Sequence, residues 1–407
     1  MGFHKFPRYR VSPQPQRGLL NMTRLHYISP SLLPSRSANS VHVMHQCNGF
    51  AQIGVKVILY AKRTLHDSFE LTSDLQKNYG VDTLNWQLIT FNSKISQADT
   101  LRIALMAIRP ILRAPRCEIV LSRNLHAAWL LATARRPMLF ETHQLEYGIR
   151  KPMQRWIMTR PWVRTIVISD CLIDCLEEHH SIRLHDPLVL HDAAPAGIVR
   201  LLPKYRRKAL AELLNISISD LALWSGVCGY FGQLYSGRGI EIIEAMAIAR
   251  PSCLFLVVGG NDSDVIARRI NAPQNLKFMG HVSHQLAQSL QRAVDVLLMP
   301  YQRSVSIGIR GHDTARWMSP MKMFEYLAAG VPIISSDLPV LREILINEEN
   351  CMLVSPADVS SWINALDRII KNTEFSEYIG SNAHLQYQRQ HTWNYRAEKI
   401  IAAGREL

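Results

Sequence analysis

Residues 319–337, SPMKMFEYLAAGVPIISSD, predict a helix, its end and a buried strand directly after it. Ser319 is a favoured N-cap residue, and Pro320 at the first helical position loses no hydrogen bond there. Gly330 fits a left-handed C-terminal cap. The apolar run at residues 331–335 is typical of a strand that is buried on both faces. A helix that leads into such a strand indicates a parallel α/β sheet.

The predicted helix has a charged face as well as an apolar face. Lys322 and Glu325 share the charged face, and Lys322 falls in the first turn, where the helix dipole disfavours a cation unless an anion is close. The start of the helix also offers free backbone N–H groups. This combination suits a ligand that carries phosphate and hydroxyl groups. The apolar residues at helical spacing are Met321, Phe324, Leu327 and Ala328.

Strands and helices alternate in both halves of the chain, which is the pattern of parallel α/β domains. The halves are separated by residues 195–215, where proline, glycine and basic residues cluster. We therefore predict two Rossmann-like domains whose strand carboxyl ends face a shared cleft, where ligands of such sheets bind. The predicted strands lie near residues 24–29, 55–60, 87–91, 117–122, 137–141, 164–168 and 187–191, and then near 223–229, 253–258, 276–279, 295–299 and 331–335.

A glycine-rich stretch at residues 227–246, VCGYFGQLYSGRGIEIIEAM, joins a predicted strand to a predicted helix. Its glycines allow the backbone to approach a ligand, and Arg238 lies at the start of the helix. The spacing matches neither the dinucleotide-binding fingerprint nor the P-loop. A glycine-rich turn with a solvated arginine is the alternative interpretation. The phosphate-binding hypothesis therefore depends on finding two such helix starts in one domain.

Three further segments carry candidate side chains. The loop at residues 301–318 leaves the carboxyl end of a strand, and a loop this long in a compact domain is functional or disordered. In the first half, a serine-rich turn with Arg36 precedes a helix capped near Asn39. Glu141 and His143 end another buried strand, although a histidine there is as often structural as functional. The charged residues of the long loop are Arg303, Arg310, His312, Asp313 and Arg316.

The composition is that of a folded protein with a basic surface. The chain has 407 residues and a formal net charge of +13. No apolar run approaches the ~20 residues of a membrane span, and no signal-peptide core is found, so we expect a cytoplasmic protein. Zinc-finger spacing and RNA-binding aromatic motifs are absent, so nucleic acid is not an expected partner. The seven cysteines lie mostly in apolar stretches, which predicts core residues in a reducing compartment.

Several of these segments resemble those of one enzyme family. Residues 319–337 resemble the donor-site helix of the retaining GT-B glycosyltransferases of the family four group, and residues 229–246 resemble their phosphate loop. Residues 275–300, NLKFMGHVSHQLAQSLQRAVDVLLMP, are similar to the segment between them. Residues 34–54, PSRSANSVHVMHQCNGFAQIG, are similar to the first loop and helix of members that build cell-surface polysaccharides. The resemblance extends from about Met22 to the C-terminus.

The resemblance implies a GT-B fold with a defined division of the chain. Residues 1–21 would form a disordered or peripheral extension, and residues 22–200 a Rossmann-like acceptor domain. Residues 201–385 would form a Rossmann-like domain that binds the nucleotide-sugar donor. Residues 386–407 would form a C-terminal helix that packs back toward the N-terminal domain.

The resemblance also implies a role for individual residues. Arg238 matches the cation on the donor diphosphate, and Glu325 matches the acid that binds the nucleotide ribose. His143 matches the histidine near the transferred sugar, and Lys322 lies in the helix start that meets phosphate and sugar. The catalytic candidates are thus His143, Arg238 and Lys322; the donor-binding candidates are Gly232, Gln233, Pro320, Met321 and Glu325; and Ser37 and Asn39 are candidates for the acceptor side of the cleft.

Two positions depart from the family pattern. Trp317 stands where the family has the first acid of its Glu-x7-Glu motif, so the usual carboxylate for the sugar hydroxyls is missing. Gln233 replaces an arginine of the phosphate loop, which removes one cation from the diphosphate. A non-catalytic homologue is therefore one alternative. A nucleotide-sugar epimerase, or a phosphorylase with pyridoxal phosphate, is another.

The function implied by the resemblance is transfer of a sugar, with retention, from a nucleotide-diphosphate sugar to a carbohydrate or lipid-linked acceptor in bacterial surface polysaccharide synthesis. The nucleotide-sugar would be a co-substrate, and neither a cofactor nor a metal ion would be required. The basic surface adds an anionic membrane at the inner face of the plasma membrane as an expected partner.

Overall fold

The computed structural model describes residues 23–35, 37–63, 75, 79–81, 86–92, 98–306 and 313–407. The predicted N-terminal extension lies outside these ranges, as do Arg36, Arg310 and His312.

The first domain is built on a seven-stranded parallel sheet with the strand order β3-β2-β1-β4-β5-β6-β7. The sequence predicted each of these strands to within a few residues, because their apolar residues form short runs, which are completely buried in central strands such as β4 and β5. The strands are β1 Arg24–Leu33, β2 Lys56–Arg63, β3 Trp86–Asn92, β4 Ile119–Ser122, β5 Met138–Thr142, β6 Val163–Val167 and β7 Leu188–Val189. Its helices are α1 Ala38–Gln52, α2 Ala98–Arg113, α3 Leu125–Thr133, α4 Arg150–Met158 and α5 Asp170–His180.

The second domain has a six-stranded parallel sheet with the strand order β10-β9-β8-β11-β12-β13. Strand β13 was not predicted, because three residues are too few for a clear apolar pattern. The strands are β8 Gly226–Phe231, β9 Cys253–Val258, β10 Leu276–Gly280, β11 Val296–Met299, β12 Ile333–Ser336 and β13 Met352–Val354. The helices are α6 Pro203–Leu214, α7 Ile218–Ala222, α8 Ile240–Ala249, α9 Asp262–Arg269, α10 His284–Ala293, α11 Met321–Ala329, α12 Val359–Lys371, α13 Thr373–Gln390 and α14 Trp393–Arg405.

Helix α14 at the end of the chain lies on the first domain, against α1, β4 and β5. Its apolar face includes Trp393, Ala397 and Ile400, all of them buried. A backbone bridge between Ala194 and Thr392 precedes the helix, so the chain returns to the first domain beside the point at which it left. The last helix and the second domain are therefore joined to the first sheet at neighbouring positions.

The cysteine prediction is confirmed at most positions. Cys47, Cys175, Cys228, Cys253 and Cys351 are buried, whereas Cys117 is exposed at the turn before β4. In the described part of the chain, no helix combines the length and hydropathy that crossing a bilayer requires.

Candidate functional site

Helix α11 begins one residue later than its sequence predicted. Pro320 is the N-cap residue, with ψ of 119°, and Met321 is the first helical residue. The predicted cap, Ser319, is wrong, because its hydroxyl oxygen accepts a hydrogen bond from the backbone N–H of Asp192 in the first domain at 2.9 Å. Gly330 ends the helix in the left-handed conformation, with φ of 64°, as predicted. The N–H groups at the helix start therefore receive no side-chain cap from their own chain segment.

The buried face of α11 also differs in one position. Phe324, Leu327 and Ala328 are buried as predicted, but Met321 is only partly buried. Met321 stands at the first turn beside the cleft, where the sheet no longer covers the helix. The helix buries Met323, Phe324, Tyr326, Leu327, Ala328 and Ala329.

Lys322 points its ammonium group into the second domain rather than into solvent. Nζ lies 4.0 Å from the ring centre of Tyr230 and 4.9 Å from that of Tyr301. It is buried and has no hydrogen-bond partner. Burial, and after it the positive charge of Arg238, hold the pKa of Lys322 well below its usual range. A buried ammonium group without an anion is costly, so this position is suited to an anionic ligand.

The glycine-rich loop after β8 reaches the same point. A Cβ atom at Gly232 would lie 2.8 Å from Nζ of Lys322, so a side chain there would displace the ammonium group from its present position. Gln233 is exposed, and its carbonyl oxygen accepts a 2.7 Å hydrogen bond from the hydroxyl of Tyr230. Gly237 and Gly239 serve the packing of the loop, because Cβ atoms there would lie 1.9 and 1.8 Å from carbonyl oxygens of the chain after β11.

Arg238 lies at the start of α8 and approaches Lys322 from the other side of Tyr301. Its guanidinium donates to the hydroxyl of Tyr301 at 2.9 Å and to the carbonyl oxygen of Ser306 at 3.2 Å. Its Nε is buried without a partner. The first turns of α8 and α11 therefore bring two cations and two sets of free backbone N–H groups to the carboxyl ends of β8 and β11.

Glu325 lies one turn beyond Lys322, on the cleft side of α11. Its Oε2 accepts a 3.2 Å hydrogen bond from the amide of Gln291, and its Oε1 lies 3.9 Å from Nε2 of His284. The ring of His284 in turn lies 5.4 Å from that of His45 in the first domain. Glu325 is thus placed at the boundary between the domains, a turn away from the two cations.

His143 follows strand β5, and both of its ring nitrogens are bonded within the first domain. Arg123 donates to Nδ1 at 3.0 Å, and Nε2 lies 2.6 Å from Oε1 of Glu141. Since a guanidinium can only donate, Nδ1 carries no proton and Nε2–H donates to the carboxylate. Burial, together with the charge of Arg123, lowers the pKa of His143 to about 4. The imidazole is therefore neutral near pH 7.

Glu141 connects His143 to the interior of the first domain. Its Oε1 also accepts from the guanidinium of Arg396 at 2.8 Å and lies 3.2 Å from Nε2 of His42. Burial acts to raise the pKa of Glu141, but Arg396 and the two histidines outweigh it and hold that pKa well below its usual range. Nδ1 of His42 is bonded to Asp192 at 2.8 Å.

The acceptor-side candidates lie where β1 leads into α1. Ser37 is the N-cap of α1, and its side chain accepts from the backbone N–H of Ser40 at 3.3 Å. The cap was predicted near Asn39 and lies two residues earlier; Asn39 itself is inside the first turn and donates to the hydroxyl of Ser31 at 2.8 Å. The shorter serine side chain bends back to the helix start, whereas the asparagine bonds to the preceding strand.

Trp317 contributes to the contact between the domains. Its indole packs against the core of the first domain, and its carbonyl oxygen accepts from the hydroxyl of Ser169 at 2.9 Å. The indole nitrogen is buried without a partner. Trp317 thus contributes contacts that join the two domains.

Two groups of histidines and acids in the described chain are close enough together to bind a metal ion. In the group of His42, Glu141 and His143, the carboxylate already pairs with the permanent cation of Arg396. In the second group, both oxygens of Glu343 accept backbone N–H groups of α5. Because these carboxylates are already compensated, we assign no metal ion to either group.

The structure thus forms two clusters, one in each domain. Lys322, Arg238, Gly232 and Glu325 come together in the second domain, and His143 lies in the first. Sequence reasoning missed the aromatic pair Tyr230 and Tyr301, the partners Arg123 and Gln291, and Arg396. Arg396 carried a signal, because an arginine among the apolar positions of an amphipathic helix needs a buried partner.

Comparison with known proteins agrees with the arrangement of the second domain. Residues 225–372 match the family model of glycosyl transferases group 1. The chain is 26% identical over 203 residues to a phosphatidyl-myo-inositol mannosyltransferase of Mycobacterium leprae, a match that covers 46% of this chain. It is 24% identical over 181 residues, 42% of this chain, to an uncharacterized glycosyltransferase of Methanocaldococcus jannaschii. The chain spans about half the length of these curated relatives, 50% and 43% respectively.

Solved structures resemble the whole chain. Sucrose-phosphate synthase of Thermosynechococcus elongatus superposes with a TM-score of 0.69 at 16% identity, covering 94% of this chain and 98% of the other. The Anabaena protein HepE in complex with UDP and glucose superposes with a TM-score of 0.68 at 14% identity, covering 95% and 100%. At these identities the likeness concerns the fold alone. The predicted two-domain GT-B fold is confirmed.

Proposed function

We propose that the protein is a retaining glycosyltransferase that moves a sugar from a nucleotide-diphosphate sugar to a carbohydrate or lipid-linked acceptor. The observation that carries this proposal is the buried ammonium group of Lys322, which has no partner and lies against Gly232. Arg238 and the N-termini of α8 and α11 surround the same point, so the site has the charge and the backbone donors of a diphosphate site. The match to group 1 glycosyl transferases and the UDP bound to HepE support this choice of ligand.

The residues of this site would act on the leaving group. Negative charge grows on the diphosphate as the bond to the sugar breaks, and fixed cations and N–H donors stabilise that charge without reorganising. Lys322 and Arg238 would supply the cations, while Glu325 would accept hydrogen bonds from the ribose. The closure of the two domains would keep water from the cleft.

The first domain would orient the transferred sugar rather than exchange protons with it. His143 is neutral near pH 7, and its side chain is 22% exposed at the cleft. The neighbouring carboxylate, Glu141, is buried and bound to Arg396, so it is poorly placed to attack the sugar. This supports a reaction in which a phosphate oxygen of the leaving group takes the proton of the acceptor, with retention of configuration.

The donor proposal predicts a base-specific response to nucleotides. A thermal-shift series with UDP, GDP, ADP and their common sugars should show stabilisation by one nucleotide family, because a ligand that binds only the folded protein raises its melting temperature. Glu325→Ala should lose most of that shift. As a matched control, Glu348→Ala removes an exposed glutamate that pairs with Arg368 on the far side of the domain, and should keep the shift. An absence of stabilisation by all of these nucleotides would overturn the donor proposal.

Two other functions remain in competition. Trp317 and Gln233 favour a homologue that binds nucleotide without turnover, because each removes a polar group that the family uses. A nucleotide-sugar epimerase would convert the donor without any acceptor. Binding without product formation would identify the first, and conversion of the donor alone would identify the second.

We further propose that the acceptor side of the protein docks on an anionic membrane surface. Leu101, Leu105 and Leu112 on α2 are 43%, 61% and 48% exposed, and they alternate with arginines on the same face. Helix α3 packs beside α2, and α4 packs beside α3; they add the exposed rings of Trp129 and Trp156. Exposed leucine, tryptophan and arginine on one face suit the boundary between head groups and acyl chains. The acids between residues 98 and 160 are Asp99, Glu118, Glu141 and Glu146, all buried or largely buried.

The membrane proposal predicts a strong effect of reversing charge on α2. The variant Arg109→Glu/Arg113→Glu should bind vesicles that contain phosphatidylglycerol at least about tenfold more weakly, since each basic residue near such a surface contributes about 1 kcal/mol. The variant Arg389→Glu/Lys399→Glu changes the net charge equally on the C-terminal helices and should bind like the unchanged protein. Co-sedimentation measures both. Equal binding by the two variants would contradict the proposed face.

A further inference from the structure

Helix α14 carries one arginine on its buried side. Arg396 is 2% exposed and lies between Trp393 and Ile400 on the apolar face of the helix. Its guanidinium donates to the side chains of Gln46 and Glu141 at 2.5 and 2.8 Å, and to the carbonyl oxygen of His191 at 3.1 Å. A buried arginine with this many good partners has a fixed orientation, because its planar fork matches them in only one position.

The carboxylate that Arg396 holds is the one that orients the cleft histidine. Oε1 of Glu141 accepts hydrogen bonds from the guanidinium of Arg396 at 2.8 Å and from Nε2–H of His143 at 2.6 Å. Arg123 donates to the opposite ring nitrogen of His143 at 3.0 Å. The imidazole is therefore held from both sides in one tautomer, with its edge at the cleft. The guanidinium of Arg396 is the nearest cation to Glu141, and Arg123, whose Nε lies 3.9 Å from Oε1, adds a second positive charge; together they help to hold the pKa of this fully buried carboxylate well below its usual range.

We propose that Arg396 is a positioning residue of the transfer reaction, acting through Glu141 to fix the orientation of His143. This inference rests on the proposed function, since it assigns His143 to the sugar side of the cleft. The C-terminal helix then belongs to the catalytic machinery although it follows the donor domain in the chain.

Loss of Arg396 changes the protonation of Glu141 and thereby its hydrogen bond to His143. Without the cation, a buried carboxylate takes up a proton more readily. A protonated Glu141 is a weaker acceptor for Nε2–H of His143 than the carboxylate is, although Arg123 still donates to Nδ1. The ring is then held less firmly on the Nε2 side and gains a second orientation. A sugar hydroxyl that depends on the position of this ring would be held less well in the transition state.

The first measurement is independent of turnover. In protein labelled with 15N in histidine, His143 should show the signals of a neutral ring protonated at Nε2, unchanged between pH 5 and 8, roughly one unit and more above its lowered pKa. Arg396→Met should give mixed or shifted ring signals. Signals of His143 that are identical in the variant and the unchanged protein would overturn the proposal.

The second measurement separates positioning from stability. Arg396→Met should lower kcat at least about tenfold while changing the affinity for the donor nucleotide less than about threefold, since that site is in the other domain. The acid limb of its pH profile should move upward, because the pKa of Glu141 rises without Arg396. The double variant Glu141→Gln/Arg396→Met removes both charges together, which commonly restores stability. A purely structural role predicts that kcat recovers in the double variant, and positioning predicts that it does not.

A matched control is available in the same domain. Arg136 is 5% exposed and donates to three backbone carbonyl groups at the opposite end of the sheet, the closest of them Pro115 and Glu118 at 2.8 and 2.9 Å. Arg136→Met should destabilise the protein but leave the ring signals of His143 unchanged. If the unchanged protein has no transferase activity, the proposed function fails, and the ring signals still decide whether Arg396 positions His143.

Discussion

Replacing Lys322 with methionine is expected to weaken the binding of the nucleoside diphosphate by about 1–3 kcal/mol, which is roughly 5- to 150-fold in Kd. The expected loss is large because Nζ is already buried and has no partner in the protein, so the ligand supplies its anion. Arg238→Met should cause a loss of the same order, since Arg238 reaches the same point from α8. Isothermal titration calorimetry measures both.

We also expect binding of the nucleoside diphosphate at this site to be coupled to uptake of a proton by Lys322. The pKa of Lys322 lies well below its usual range, first because of burial and then because of Arg238, and a diphosphate would raise it. Binding should therefore take up a proton and weaken as the pH rises, and Lys322→Met should abolish the uptake. Calorimetry in two buffers of different ionisation enthalpy shows this. Lys204→Met is the control, because Lys204 also lies over a tyrosine ring, at 4.8 Å, but on the surface helix α6. Unchanged affinity in Lys322→Met would contradict the assigned site.

Replacing Glu343 with alanine is expected to open the cleft. Glu343 belongs to the second domain, in the short 3-10 turn Leu341–Glu343, yet its carboxylate accepts the backbone N–H groups of Asp170 and Cys171 at 2.9 Å each. It therefore caps α5 of the first domain, and it also bonds to His191 at 2.8 Å. Charge-assisted bonds of this kind contribute about 1–3 kcal/mol to the closed arrangement.

Two measurements would detect the opening of the cleft in Glu343→Ala. Small-angle scattering of the ligand-free variant should give a larger radius of gyration, and kcat should fall because the two halves of the site meet less often. The affinity for the nucleotide alone should change little. Glu348→Ala is again the control, since Glu348 bonds to Arg368 within one domain. A variant of Glu343 with unchanged scattering would show that other contacts, such as Trp317 with the first domain, hold the cleft closed.

The sequence predicted the fold well because its signals are local. Each strand of a doubly covered parallel sheet is an apolar run, and residues 331–335 showed this as clearly as residues 253–258. The left-handed end of α11 required Gly330, which the sequence placed correctly. The start of the same helix was less certain, because Ser319 is a good cap in isolation but is used by the backbone of Asp192 in the other domain.

The candidate site was only partly predictable, because its partners are distant in the chain. The position of Lys322 in the first turn indicated a ligand, but nothing local showed that Tyr230 and Tyr301 would enclose its ammonium group. Glu141 and Arg396 are 255 residues apart, and only the return of α14 to the first sheet brings them together. In the sequence, Trp317 was notable only because the resembled family has a carboxylate at this position. In the structure, its side chain packs against the core of the first domain and so connects the two domains.

Transfer of a sugar by the site residues of the two domains can be tested directly. The most direct measurement incubates the protein with the nucleotide-sugar that stabilises it and with a lipid or carbohydrate extract as acceptor, and follows release of the nucleoside diphosphate. We expect release of the nucleoside diphosphate to require the acceptor and to be lost in Arg238→Met. Tight binding of the donor with no release in any acceptor extract, or conversion of the donor without an acceptor, would contradict it.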